Sequence, residues 1–220
     1  MNKRDSKRAR RGKTSGLTLI ELLVVIFITA IIALILLPTP HHGRANPLQT
    51  HCISNLRQMG TAFRLWADDH ANRNPMQVST NDGGAMEFVA LGDVARAFQC
   101  MSNELSTPKL VCCPADMRDP ATNFASLTTS NVSYLIGVDA EEKRERMLLA
   151  GDRNWVINGK DVVPGLVSVS TNDILAWNGN LHKQSGDVCK ADGSAQKLTS
   201  SQLLRHLLVI GTNINRLVFP

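Results

Sequence analysis

From Leu17 to Leu37 the chain reads LTLIELLVVIFITAIIALILL, 21 residues with Glu21 as the single charge. As a helix this stretch measures about 31 Å at ~1.5 Å per residue, close to a hydrocarbon core of ~30 Å. Inside lipid such a segment satisfies its backbone polar groups only as a helix. Residues 38–48 hold three prolines and a glycine, so a kink or break is expected near Pro38. A helical period returns from Leu48 to Asn72. Cys52, Ile53, Leu56, Met59, Gly60, Phe63, Trp66 and Ala67 recur at steps of three and four, with Ser54, Arg57, Gln58, Thr61, Arg64 and Asp68 on the other faces. This is an amphipathic helix with one apolar stripe, expected to seat on a sheet of its own domain.

Beyond Pro75 a polar, glycine-bearing loop covers residues 78–87, and a second helix is expected over Phe88 to Asn103. Leu110 to Cys113 reads as a short buried strand. Further strands are expected at 133–138, 147–150, 155–157 and 166–169, from their β-branched, aromatic and apolar content. Asp192-Gly193 between residues 187–191 and 194–198 is a hairpin signal, because turn positions there favour residues tolerant of positive φ. A helix from Thr199 or Ser200 to about Val209 comes next, and 215–219 is expected as a last edge strand. The fold class is therefore α+β. An N-terminal membrane helix over 17–37 leads through a joint at 38–48 to a head over 49–220, where the amphipathic helix packs on a small antiparallel sheet.

Charge separates the ends of the chain. Residues 1–16 hold seven of the 24 basic residues and one of the 19 acidic ones; residues 17–220 carry 17 basic against 18 acidic. The formal charge of +5 is thus a property of a basic leader, and no nucleic-acid partner is expected from it. By the positive-inside rule the leader is cytoplasmic and the head lies across the membrane. The roughly 180 residues beyond the apolar run suit one domain. The run is too long for an ordinary secretory signal, whose apolar region spans ~7–15 residues. Glu21 costs on the order of 2.5–3.5 kcal/mol at a bilayer centre and less toward its edge, so it reads as functional.

Gly16 followed by Leu17-Thr18-Leu19-Ile20-Glu21-Leu22-Leu23-Val24-Val25-Ile26 resembles the signal of type IV prepilins and type II secretion pseudopilins. That resemblance implies cleavage after Gly16 by a prepilin peptidase, methylation of the new Leu17 terminus, and a role in assembly for Glu21. It also implies a pilin-like head, and Pro38 falls where many pilin helices are kinked. Two positions depart from the family: Leu17 stands where Phe is usual, and the proline-rich joint replaces an unbroken helix. The freed Leu17 amine and Glu21 would share one helix face at i,i+4 spacing, and a cation relieves a carboxylate in low dielectric. The amine could also belong to a neighbouring subunit. The implied function is a pseudopilin-like structural subunit of a type II secretion or type IV pilus-like filament. Its partners are the peptidase, other pilin-like subunits and the inner membrane, crossed once with the head periplasmic. The alternative is a membrane-anchored binding module for a secreted protein or polysaccharide that does not polymerise. No enzymatic role is expected.

A second resemblance lies near the other end. His182, nine residues, then Asp192-Gly193 is similar to an H-X9-DG signature of a large group of prepilin-type proteins, as are Trp177 and the run CISNLRQMG from Cys52 to Gly60. His182 and Asp192 could bracket an acid/base or metal site; the expected reading is a turn role for Asp192 and packing for His182 near the hairpin. His41 and His42 are expected to be exposed in the joint. Asp152, Asp173 and Asp187, with Asn154 and Asn172, offer oxygen ligands of the kind calcium takes, but they follow no recognisable loop spacing and are expected as solvated turn groups. No cofactor is expected otherwise. The five cysteines, an odd number, leave at least one thiol unpaired within a monomer. They are read mainly as small buried apolar residues, with one disulfide as the alternative if the head is exported, and their spacing selects no pair.

Overall fold

The computed structural model describes residues 18–36, 47–210 and 213–220. Gly16, Leu17, Pro38, His41 and His42 lie outside the described residues. The chain divides into two compact units, Met1–Arg44 and Ala45–Pro220.

In the first unit, α1 (Leu19–Leu36) is apolar on every side. Leu19, Leu22, Val25, Phe27, Ile28, Ile32 and Leu34 are all exposed, and no one face carries the polar residues. A helix of that kind belongs in a core or in lipid. As described it has 18 residues, about 27 Å at ~1.5 Å per residue. Among the described residues no helix is long and apolar enough to cross a membrane.

The second unit is built around one sheet. Its helices are α2 (Pro47–Asp69), α3 (Met86–Ala90), α4 (Val94–Cys100), α5 (Ser102–Leu105) and α6 (Ser200–Ile210). Its strands are β1 (Tyr134–Gly137), β2 (Leu148–Asp152), β3 (Trp155–Ile157), β4 (Lys160–Asp161), β5 (Gly165–Ser170), β6 (Leu175–Trp177), β7 (Ser185–Lys190), β8 (Ala195–Thr199) and β9 (Ile214–Phe219). Six strands form an antiparallel sheet in the order β5-β9-β1-β2-β7-β8, and β4-β3-β6 form a second, smaller one. The α+β expectation therefore holds, with two differences. There is a second sheet, and β9 is an interior strand, because all six of its residues pair with β5 on one side while β1 holds the other.

Both faces of the large sheet are buried, which alternation along the strands makes possible. Tyr134, Ile136 and Cys189 join the α2 stripe, Cys52, Leu56, Met59 and Phe63, in one core. Leu135, Val188 and Leu217 join Trp155, Trp177, Leu203 and Leu207 in the other. Each fully buried Leu or Phe contributes ~1.5–3 kcal/mol of transfer free energy, so α2 and α6 are held by the sheet they cover. α2 keeps the amphipathic pattern closely, and Pro47 occupies its first turn, where a proline's missing N–H is no loss.

Three local expectations change. The helix over 88–103 is three short helices. Gly92 takes φ +89°, and Asp93 then restarts the chain by accepting from the Ala95 N–H. The segment before Cys112 is a 3-10 turn, Pro108–Val111, rather than a strand. The Asp192-Gly193 hairpin exists, with Cys189 paired to Ala195, but only Gly193 has positive φ. The longer loop allows a turn in which the Gly193 N–H reaches Lys190 O, so Asp192 need not leave the right-handed region.

Candidate functional site

Two places carry unusual chemistry, one in each unit. At the start of α1, Thr18 and Glu21 cap the helix reciprocally. The Thr18 N–H and hydroxyl donate to Glu21 Oε2 at 2.9 and 2.8 Å, and the Glu21 N–H faces Thr18 Oγ1 at 3.4 Å. T-x-x-E is a capping box, which satisfies N–H groups that a helix start leaves without partners. That signal is visible in Thr18-Leu19-Ile20-Glu21 and gives Glu21 a local role beside any role in assembly. Leu17, whose amine was expected to face Glu21, is outside the described residues.

The second place lies in the core between α2 and the sheet. Asp152 ends β2 and Asp187 sits in β7, one step beyond the Gly151–Val188 pair. The Asp187 N–H donates to Asp152 Oδ2 at 2.7 Å. His182 comes from the loop between β6 and β7. Its Nε2 lies 3.3 Å from Asp152 Oδ2 and 3.6 Å from Asp187 Oδ2, and all three side chains are fully buried. The loop is bent sharply to put it there. Lys183 and Gln184 hold φ of +50° and +62°, and the Ser185 hydroxyl donates to His182 O at 2.6 Å. Left-handed backbone at two successive non-glycine residues is costly and persists only where the surroundings enforce it.

Polar groups line the outside of this cluster. Gln49 Nε2 donates to Asp187 Oδ1 at 3.0 Å, and Lys197 Nζ donates to Gln49 Oε1 at 2.8 Å. Asn154 Nδ2 donates to Ser185 O. Cys113 bonds to Cys52 in a disulfide, and its Sγ lies 3.5 Å from His182 Nε2. Three buried atoms of the cluster, Asp152 Oδ1, Asp187 Oδ2 and His182 Nδ1, have no hydrogen-bond partner among the described residues.

Burial controls the protonation of the cluster. It pushes the Asp152 carboxyl well up, and the neighbouring Asp187 charge adds to that. It pushes Asp187 up to about 6 against the Gln49 hydrogen bond, and holds the His182 imidazole down to about 4. Two carboxylates side by side in a dry site resist ionising together. Among the described residues neither carboxylate has a lysine or arginine within ion-pair distance; Lys197 reaches Asp187 only through Gln49.

From the sequence, a turn role for Asp192 and packing for His182 are expected, against a site bracketed by the two; His182 is buried near the strands, and its carboxylate neighbours are Asp152 and Asp187, not Asp192. Asp192 serves the hairpin turn, accepting from the Ser194 N–H at 2.8 Å and hydroxyl at 2.6 Å. Of the suggested calcium ligands, Asp152 and Asp187 converge and are buried, not solvated. Asp173 is elsewhere, holding a turn through the Ser170 N–H and Asn158 Nδ2. One pair of cysteines is a disulfide, leaving Cys100, Cys112 and Cys189 free. Sequence reasoning missed Gln49. Its signal is a glutamine in phase with the stripe Cys52, Leu56, Met59 and Phe63.

Gly60, at the end of the run from Cys52, has a packing reason to be glycine. A Cβ on Gly60 would lie 3.0 Å from Gly193 Cα and 2.8 Å from Cys189 Sγ. So α2 crosses the β7–β8 turn with glycine against glycine.

Residues 11–37 match the family model described as the prokaryotic N-terminal methylation motif. The chain thus carries the prepilin-type cleavage and methylation signal. No curated protein and no solved structure matches the chain.

Proposed function

We propose that this chain is a pilin-like structural subunit that enters a filament of the type II secretion or type IV pilus kind through its N-terminal helix. The observation that carries this reading is the methylation motif over residues 11–37, coinciding with an α1 that is apolar on every side and has one carboxylate in its first turn. Cleavage after Gly16 removes the seven basic residues that hold the leader on the cytoplasmic side. It leaves the Leu17 amine beside Thr18 and Glu21. In lipid Glu21 is stabilised by its Thr18 cap; a subunit amine offers a stronger, charged partner during assembly. Mispaired register leaves that carboxylate without its cation, which favours correct docking. The work of this chain is then assembly, with the Ala45–Pro220 unit presented on the far side of the inner membrane.

The test is the N-terminal mass of the protein recovered from its host's membranes. A terminus at Leu17 carrying one methyl group is expected, and an intact leader or a cut beyond Pro38 would overturn the reading. Glu21→Ala is expected to leave processing intact and abolish co-sedimentation with filaments. Filaments that still incorporate this variant would remove Glu21 from the mechanism.

A further inference from the structure

We propose that Asp152, His182 and Asp187 form a binding site for one divalent transition-metal ion of the zinc type, which pins the β6–β7 loop to the sheet beneath α2. This goes beyond the structural role above and is independent of filament assembly.

Distances come first. A tetrahedral zinc ion with Zn–N of ~2.0–2.1 Å and Zn–O of ~2.0–2.2 Å spaces its ligand atoms ~3.3–3.5 Å apart. Of the His182 Nε2 distances to the two carboxylate oxygens, 3.3 Å falls in that range and 3.6 Å lies just beyond it. They are too long for good N–H···O hydrogen bonds, which lie at ~2.7–3.2 Å. All three ligand atoms lie within 4.8 Å of one another.

Charge comes second. Two carboxylates on neighbouring strands, fully buried and without a cationic side chain at contact, can both ionise only beside a compensating positive charge. A divalent ion supplies it and leaves the site neutral with a neutral imidazole. Asp187 Oδ2, without a hydrogen-bond partner among the described residues, keeps its lone pairs free for it, while Asp152 Oδ2 accepts one hydrogen bond, from the Asp187 N–H, and keeps a second lone pair; a buried polar atom left as Asp187 Oδ2 is calls for a physical reason. Gln49, held by Lys197, fixes the Asp187 carboxylate from behind, as outer-shell donors do around metal ligands.

Donor type comes third. One imidazole and two carboxylates suit zinc and its neighbours, whereas calcium takes six to eight oxygens and magnesium keeps most of its waters. Cys113 Sγ stands beside His182 Nε2, but in the disulfide it is not a thiolate and does not complete the set. Three protein donors therefore leave one coordination position for water.

The experiment uses the full chain in detergent, with His41 and His42 replaced by Asn to remove adventitious ligands. After loading with zinc and exhaustive dialysis, about one zinc per chain is expected, and chelation should lower the thermal unfolding midpoint by several degrees, about 5 °C. Asp187→Asn and His182→Gln should each weaken zinc retention by at least about 100-fold. Should either variant fail to fold, cobalt(II) added to the chelated parent chain decides: the intense visible bands of four-coordinate cobalt are expected. A folded chain that retains no zinc and gives no such bands overturns the proposal. So does retention of calcium alone, or zinc retention unchanged in both folded variants.

Discussion

Replacing Cys52 and Cys113 together by alanine tests the tie between α2 and the segment before β1. The disulfide closes a sequence separation of 61 residues, for which loss of loop-closure entropy in the unfolded chain is worth about 4 kcal/mol at 25 °C. Both cysteines are buried, so the double variant also loses two small sulfur contacts, a further ~1 kcal/mol at most. Set against a total stability of ~5–15 kcal/mol, this is a large share. The assay is urea unfolding of the full chain in detergent, monitored by tryptophan emission; Trp66, Trp155 and Trp177 are each no more than 3% exposed. With a slope of ~2 kcal/mol/M, the midpoint should fall by about 2 M. The slope itself should rise, because the uncrosslinked unfolded chain is more expanded. Reducing the parent protein should reproduce both changes. A midpoint within about 0.3 M of the parent, with the slope unchanged, would refute the assignment of this stability to the Cys52–Cys113 crosslink.

Gly60→Ala gains ~1 kcal/mol of helix propensity yet drives a Cβ into Cys189 Sγ and the Gly193 backbone; a net loss of about 1–2 kcal/mol is expected in the same titration, and a stabilised variant would show that the contact yields freely. Gly186→Ala drives its Cβ into the Trp177 ring, itself packed edge-on against Trp155, so a loss of about 3 kcal/mol and a changed near-UV circular dichroism spectrum are expected. Arg153→Met leaves the Asp116 carboxylate, 2% exposed, without its two hydrogen bonds of 2.8 and 2.9 Å; about 2–3 kcal/mol should be lost at pH 7, less than a fully buried pair because Arg153 is partly exposed. Burial alone would raise the Asp116 carboxyl, but Arg153 holds it below its ordinary value. Its contribution is therefore present above the unfolded pKa of ~3.9 and disappears as pH falls through the folded one, so the parent should lose midpoint stability below about pH 4 and Arg153→Met should lose less.

The N-terminal signal was legible because its chemistry is local. A glycine, a run of apolar side chains and one glutamate follow one another closely along the chain, and no distant residue is needed to make sense of them. The α2 stripe was legible for the same reason: Cys52, Leu56, Met59 and Phe63 share a face by helical geometry alone. So was the hairpin, since its turn residues are adjacent in the chain.

Beyond the reach of the sequence lay the pairings between distant segments. Whether β9 is an edge or an interior strand depends on where β5 goes, and its own six residues carry no mark of that. Cys52 had four possible partners, two of them, Cys112 and Cys113, adjacent in the chain, and the choice of Cys113 was made by the packing of α2 against the segment before β1. The alternative of a site bracketed by His182 and Asp192 rested only on their spacing in the motif. In the fold, Asp192 belongs to a solvent-facing turn, while Asp152, thirty residues earlier, arrives beside His182 through the β2–β7 ladder. Side-chain period and turn chemistry act over a few residues and can be read in order along a chain. A buried cluster is set by strand register and by the face each strand turns to the core, and only the folded sheet determines those.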